Sequence, residues 1–527
     1  MNWEKENLLF HSVEKWAAMK PDSEALIFND DRLSYKQLKE QIDLIAKAYI
    51  EAGVSKGDKV ALLSMARNEF MTSYMAAGKI GAVWLGLNPK ATIDELRYIL
   101  NDCKPKVLMM LRNFMDKDLS QNIILLKKEM PFLEKVLVIG ESFEGAENFD
   151  SFMQKERDDL KDELARREES VLPEDEALLM YTSGSTGKPK GVVHTHASII
   201  ENVKVQVKAF DMDEKGKVLV HFPINHVAAD VEMGFAAVFA GGSIVFMDSF
   251  DPVGSLKMIE KEKISFLGQV PVMFLLQMQQ PVFKETDISS LKQIVWAGAA
   301  APKIMLDNLS LICKKTGAKL VTGYGSTEVC GFVTYTRLND EPDLLLKSVG
   351  KIAHPFELKI VDEQREEIES GQIGEIAVRG PFMFKEYLNK PDATSSALDK
   401  DGWYFTDDLG YVDKKGYVFL TGRKSEMFKT GGENVYPREI EEVLETNPGV
   451  LFSAVIGVKD EIYQEVGWAF IMQKPGQEVA EDELISLCKE KLSNFKVPKR
   501  FFIRPALPLL ANGKVNKVAL TKEMQAL

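Results

Sequence analysis

Residues 181–192 read YTSGSTGKPKGV. The run packs hydroxyls, glycines and two lysines together, a composition suited to phosphate: glycines let backbone N–H groups approach oxygens, and lysines supply charge. It is not the Walker loop of standard ATPases. That loop needs a glycine five residues before its Gly-Lys pair and Ser or Thr directly after the lysine, whereas Thr182 and Pro189 stand in those places. Proline has no N–H and holds Lys188 extended, so Lys188 does not open a phosphate-cradling helix. Taken alone, the run also reads as a surface turn.

Four further stretches are poorly explained by packing. TGYGSTE (322–328) closes a strand-like run with small residues and a carboxylate. GWYFTDDLG (402–410) pairs aspartates after two aromatics. TGRKSEMFKTGGENVYPREIE (421–441) sets Arg423 before a double glycine, and LPLLANGKVNK (507–517) leaves Lys514 in a glycine-containing turn. Each has an ordinary reading. Glu328 could sit at the positive end of a helix dipole, Asp408 could end a turn, and Arg423 and Lys514 could be solvated cations.

In this order and spacing, the five stretches closely resemble the adenylate-forming superfamily, which includes acyl-CoA synthetases, adenylation domains of peptide synthetases and beetle luciferases. The resemblance runs from about residue 20 to the C-terminus. It implies an α/β fold: a large N-terminal domain (1–424) of mostly parallel sheets with flanking helices, and a small α+β C-terminal domain (425–527) that rotates. It also implies a carboxylic acid activated by MgATP as an acyl-adenylate. Carboxylate and triphosphate repel, so positioning and charge neutralisation must carry such a reaction.

By resemblance, Thr182, Ser183, Gly184, Ser185, Thr186, Gly187 and Lys190 hold the phosphates that leave as pyrophosphate. Gly298, Ala299 and Ala300 line an adenine slot, and Tyr324, within Gly323–Ser326 (with Gly325), stacks on the ring. Thr327 bonds the α-phosphate and Glu328 takes Mg²⁺, which needs few carboxylates beside phosphate oxygens. Asp408 and Arg423 bond the ribose, and Lys514 bridges the substrate carboxylate and the α-phosphate. Two positions depart from the family pattern. Asp407 replaces the usual glycine before the ribose-binding aspartate and is expected to point away. Ser425 replaces the usual Asp or Lys at the hinge, where serine can still absorb a backbone rotation.

The resemblance leaves the acyl acceptor open between a CoA thiol, a carrier-protein thiol and oxygen. No carrier or condensation domain is expected, because the chain stops shortly after Lys517. Amino-acid-activating relatives place Asp, and siderophore-type aryl-acid ligases Asn, where this chain has Val227. A buried ammonium without a partner there would be costly. His226 matches a gate beside the acyl carboxylate, and otherwise reads as a core histidine. Gly431 and Gly432 match a loop that flanks a pantetheine tunnel after rotation, and otherwise form a plain hairpin turn. Coenzyme A is the favoured acceptor. The acyl pocket is expected from His226–Met233, Trp296–Ala300, Gly323–Gly325 and Val329–Val333, mostly small or apolar, for a fatty, aromatic or carbocyclic acid. Asp230 and Glu232 either face solvent or meet a cationic substrate tail. The rival readings are an acyl-AMP ligase loading a separate carrier protein and a nucleotide-binding sensor that never turns over.

The elements that must position these residues are legible in the same sequence. Short β-branched runs such as VALL (60–63), VLVIG (136–140) and SIVFM (243–247) alternate with helical patterns, as in α/β folds. In 33–53, Leu38, Ile42, Ile45 and Tyr49 share one helical face and Gly53 stops it. After about residue 420 the pattern shifts to strand-like 450–458, 465–472 and 501–507 between helices at 437–446 and 481–492. The 527 residues exceed one ordinary core. A net charge of −13 argues against a general nucleic-acid surface. The four scattered cysteines fit reduced thiols, and the N-terminus lacks a signal-peptide pattern. No run approaches the ~20 apolar residues of a membrane span. A cytoplasmic enzyme, monomer or homodimer, is the expectation.

Overall fold

The computed structural model describes residues 7–182, 188–299, 301–474, 476–509 and 515–525. Two large mixed sheets form the bulk of the chain. In the first, strands Lys319–Ser326, Gln293–Trp296, Phe266–Gln269, Lys217–Val220, Ser243–Phe246 and Glu24–Phe28 run parallel as neighbours in that order. Antiparallel strands close both of its edges, with Gly331–Tyr335 folding back on Lys319–Ser326. In the second, Glu176–Thr182, Val83–Leu87, Lys59–Leu63, Val107–Leu111 and Lys135–Ile139 are parallel, and Lys190–Thr195 pairs antiparallel with Glu176–Thr182.

Covering helices bury their apolar stripes on these sheets. Tyr35–Glu51 opens with Ser34 and Gln37 in a reciprocal capping box and buries Leu38, Ile42, Ile45 and Tyr49, the face read from the sequence. Trp84, Tyr74 and Phe70 interlock in the largest core, with ring centroids 5.1–6.5 Å apart. Aromatic contacts of this kind add to the stabilisation from burial alone.

Residues 357–423 form a third, wholly antiparallel sheet of four strands: Glu357–Val361, Gly374–Arg379, Tyr404–Val412 and Val418–Arg423. The sequence reading had no sheet here. Its strands are separated by turns at Gly371, Gly402 and Gly416, all with positive φ, and Gly374–Arg379 and Tyr404–Val412 are buried almost throughout, so they show no clear alternation.

The C-terminal part builds its own sheet. A ten-residue register couples Val450–Asp460 to Gln464–Gln473 antiparallel, and Arg500–Arg504 joins the latter in parallel. Pro437 opens the helix Pro437–Leu444, which buries Ile440 and Leu444. Leu451 of this sheet packs into the cluster containing Leu345, Met305 and Leu306, so the C-terminal sheet touches the larger body through apolar contact.

Candidate active site

Strand ends from three sheets supply the site. Asp408 and Arg423 are register partners across Tyr404–Val412 and Val418–Arg423. Tyr324 reaches them from Lys319–Ser326. Its hydroxyl donates to Asp408 Oδ2 at 2.7 Å, while Arg423 Nε lies 3.0 Å from Asp408 Oδ1. Asp408 holds Arg423 above its ordinary range, so the guanidinium is permanently charged. Burial and then Asp408 raise the Tyr324 hydroxyl well above its ordinary value, keeping it a donor. Three groups singled out in sequence thus form one hydrogen-bonded unit.

A second unit lies beside it. Glu328 is buried in the short 3₁₀ turn Thr327–Val329. Tyr387, from the two-residue edge strand Glu386–Tyr387, donates to Glu328 Oε1 at 2.9 Å. Burial first, then Glu328, raises the Tyr387 hydroxyl, so it too stays protonated. Lys190 Nζ sits 4.2 Å above the same ring, within cation–π range. Tyr404 is buried within electrostatic reach of Glu328, Tyr387, Tyr324 and Asp408, which ties the two units together.

Lys190 also stands at the foot of the glycine-rich run. Thr182 is its register partner, and Tyr181 pairs with Gly191. The foot is braced from outside: Tyr181 donates to Asp102 Oδ2 at 2.7 Å, Tyr98 donates to the Pro189 carbonyl at 3.0 Å, and Asn389 donates to the Asp102 carbonyl at 2.9 Å. Ser183, Gly184, Ser185, Thr186 and Gly187 lie outside the described residues, as do Ala300 and Lys514.

Thr327 is positioned by a histidine that sequence reasoning did not single out. His194 Nε2 is 2.7 Å from the Thr327 carbonyl and must donate to it. Desolvation lowers its pKa to about 4, so near neutral pH it serves as a neutral donor. His226 follows Lys217–Val220. The Ala228 N–H donates to His226 Nδ1 at 3.1 Å, and Phe222 stacks beside its ring at 6.5 Å. That bond makes Nδ1 an acceptor and places the proton of the neutral ring on Nε2.

The remaining positions divide. Gly298 and Ala299 are exposed just past Gln293–Trp296, with Gly298 at φ +84°. Ser326 keeps a buried hydroxyl without a partner among the described residues. Gly323 and Gly325 are glycine for a backbone reason: a Cβ would lie 2.4 Å from the Thr334 carbonyl oxygen and 1.8 Å from that of Gly331. Gly431 and Gly432 occupy a hairpin tip between Phe428–Thr430 and Glu433–Val435. Both have positive φ, and Gly431 N–H donates to the Tyr463 carbonyl in the turn before Gln464–Gln473.

At the junction between the third sheet and the C-terminal part, Asp407 turns away from Asp408 at φ +64°. Its N–H meets Glu375 Oε1 at 3.1 Å, and Lys424 Nζ meets Glu375 Oε2 at 2.9 Å. Ser425 donates to the Asp407 carboxylate.

One buried carboxylate fringed by tyrosines fits Mg²⁺, which takes few protein carboxylates and completes its shell with phosphate oxygens and water. Among the described residues, no helix is long and apolar enough to cross a membrane.

Residues 13–388 match the model of the AMP-binding enzyme family, and residues 439–514 match the AMP-binding enzyme C-terminal domain. The long-chain-fatty-acid–CoA ligase FadD13 of Mycobacterium tuberculosis is 30% identical over 503 residues, covering 94% of each chain. The anthranilate CoA ligase AuaEII, solved in complex with anthranoyl-AMP, superposes with a TM-score of 0.86 at 25% identity, covering 99% of this chain and 98% of that one. ATP-bound MatB from Rhodopseudomonas palustris gives a TM-score of 0.85 at 26% identity, covering 97% and 99%.

Proposed function

This chain belongs to the AMP-binding enzyme family, and from that premise we propose that it is an ATP-dependent acid–CoA ligase. The acid's carboxylate oxygen bonds to the α-phosphorus of ATP as pyrophosphate departs. The CoA thiol then loses its proton, its sulfur bonds to the acyl carbon, and AMP leaves. The carrying observation is the convergence of Lys190, Tyr324, Glu328, Tyr387, Asp408 and Arg423 on two adjoining hydrogen-bonded units.

Each residue has work that suits its setting. Asp408, fixed by Tyr324 and Arg423, accepts from the ribose hydroxyls, and Arg423 donates to them. The Tyr324 ring lies against adenine, beside Gly298, Ala299 and Ala300. The run from Thr182 to Lys190 holds the β- and γ-phosphates, so the leaving group is gripped one phosphate away from the chemistry. Thr327, with its carbonyl held by His194, donates to the α-phosphate. Glu328 would hold Mg²⁺, which supplies positive charge to the phosphate oxygens when bound. Lys514 offsets charge between carboxylate and α-phosphate, and His226 gates the acyl carboxylate. Rotation of the C-terminal part about Lys424–Ser425 then withdraws Lys514 and brings Gly431–Gly432 to the thiol path, since one site cannot hold both.

The acid is largely apolar: fatty, aromatic or carbocyclic. The relatives named for fatty and aromatic acids support that range. The test is a panel of such acids with MgATP, with and without CoA. AMP release that requires both acid and CoA supports the reading. Turnover that needs a carrier protein instead of CoA, or no AMP from any acid, would overturn it.

A further inference from the structure

Beside His226 lies a group of buried polar atoms that no described residue satisfies. The helix Ala228–Phe235 is a π-helix, a rare widening that occurs mostly at functional sites. It hangs from His226, whose carbonyl accepts from Ala229 and Asp230 N–H groups. It carries Asp230, which is fully buried and has neither carboxylate oxygen partnered among the described residues. From the neighbouring helix His196–Ala209, Asn202 and Gln206 are also fully buried. Asn202 Nδ2 donates to the Val329 carbonyl at 2.8 Å and to that of Phe332 at 3.3 Å, and Gln206 Nε2 donates to the Glu232 carbonyl. These bonds fix both amides and leave Asn202 Oδ1 and Gln206 Oε1 as bare acceptors.

The bare oxygens of Asn202 and Gln206 meet at Gly331, with Glu232 beside them. A carbon placed at the Gly331 Cβ position would lie 3.3 Å from Asn202 Oδ1, 3.3 Å from Glu232 Cγ and 3.5 Å from Gln206 Oε1. Cys330 next to it feels both Glu232 and Asp230 after desolvation, and the unpartnered Tyr74 hydroxyl feels Cys330 and Asp230. Val329, bonded to Asn202, directly follows Glu328. The group therefore adjoins the adenylate residues on the side assigned to the acyl chain. Buried polar atoms are nearly always hydrogen-bonded, and several bare ones in one place need a partner. The bare amide oxygens of Asn202 and Gln206 call for a donor, and a carboxyl that burial keeps protonated, as at Asp230, still has one oxygen that accepts.

We propose that the acid activated here carries a hydrogen-bond donor, an ammonium or a hydroxyl, remote from its carboxylate, and that Asp230, Asn202, Gln206 and Glu232 receive it. This rests on the acid–CoA ligase reading and deepens it: the chain of the acid is apolar, but its far end is not. Asp230 is then a specificity-determining residue, since a site built to bond a polar group rejects the analogue lacking it far more strongly than an apolar pocket rejects a missing methylene.

The experiment compares straight-chain acids of graded length with their ω-amino and ω-hydroxy counterparts, reading kcat/KM for AMP release in wild type, Asp230→Asn and Asp230→Glu. Thermal melting with ATP and each acid reports binding and folding separately. The donor-bearing acid should win by about tenfold or more over the plain acid of equal length. Asp230→Asn should erase that preference while melting no lower than wild type, and Asp230→Glu should keep its direction. Which counterpart wins distinguishes ammonium from hydroxyl. Plain acids preferred by wild type and Asp230→Asn alike would overturn the proposal and leave the ligase reading standing. No AMP from any acid would overturn the ligase reading, and this proposal with it.

Discussion

Ser425 Oγ donates to Asp407 Oδ2 at 2.5 Å, so the two positions at which this chain departs from the adenylate-forming pattern are bonded to each other. Asp407 belongs to the third sheet and Ser425 to the turn Lys424–Glu426 that leads into the C-terminal part. The bond, with Lys424–Glu375 beside it, fastens the proposed hinge in one of its positions. A hydrogen bond of this kind is worth about 1 kcal/mol, roughly fivefold in a conformational equilibrium.

Ser425→Ala should therefore change the CoA-dependent step and acyl-AMP formation by unequal factors, about fivefold apart. Asp407→Gly, which removes the same bond and suits φ +64°, should act alike. Stopped-flow measurement of the two half-reactions checks this, and equal changes in both would contradict a hinge role.

Tyr387→Phe removes the donor to Glu328 without emptying the space. A buried carboxylate that loses a donor is penalised by about 1–3 kcal/mol, so kcat/KM for ATP should fall about tenfold to a hundredfold. The KM for the acid should stay near wild type. An unchanged ATP dependence would mean that Tyr387 only packs.

Lys514→Ala should abolish acyl-AMP formation from acid and ATP, yet spare thioester formation from supplied acyl-AMP. The comparison is made by measuring each half-reaction separately. Equal loss in both would count against two working positions of the C-terminal part.

Glu232 gives a pH signature. Desolvation pushes its pKa up to about 8 from an ordinary 4.5. Between those values the folded chain keeps a proton that the unfolded chain has lost, so this contribution to stability is full below about 4.5 and lost as pH rises towards 8. Glu232→Gln should flatten the decline in melting temperature over that interval, with the gain greatest at the alkaline end. A variant whose melting curve runs parallel to wild type at every pH would refute it.

Much of this molecule could be read before its structure. The stripe of Leu38, Ile42, Ile45 and Tyr49 needed only helical periodicity, and Pro437 needed only its place at a helix start. Tyr324, Asp408 and Arg423 were picked out by resemblance to the adenylate-forming pattern, although Tyr324 and Asp408 are 84 residues apart. Tyr387 was missed because a two-residue edge strand has no period to detect. His194 escaped because its role depends on a carbonyl 133 residues away. Asp230 and Glu232 were singled out in the sequence, but the bare amide oxygens of Asn202 and Gln206 at Gly331 were not, since an unmet hydrogen bond exists only in three dimensions. In the other direction, Gly323 and Gly325 looked like room for a ligand, and the neighbouring strand accounts for them.

The central claim is that one site makes an acyl-adenylate and then hands its acyl group to CoA. A single turnover with ATP labelled at the α-phosphate tests it most directly. With excess enzyme, MgATP and an acid that supports turnover, the label should accumulate as enzyme-bound acyl-AMP, and adding CoA should convert it to free AMP with an equal amount of acyl-CoA. Label appearing as ADP, or acyl-AMP that persists when CoA is added, would contradict the account.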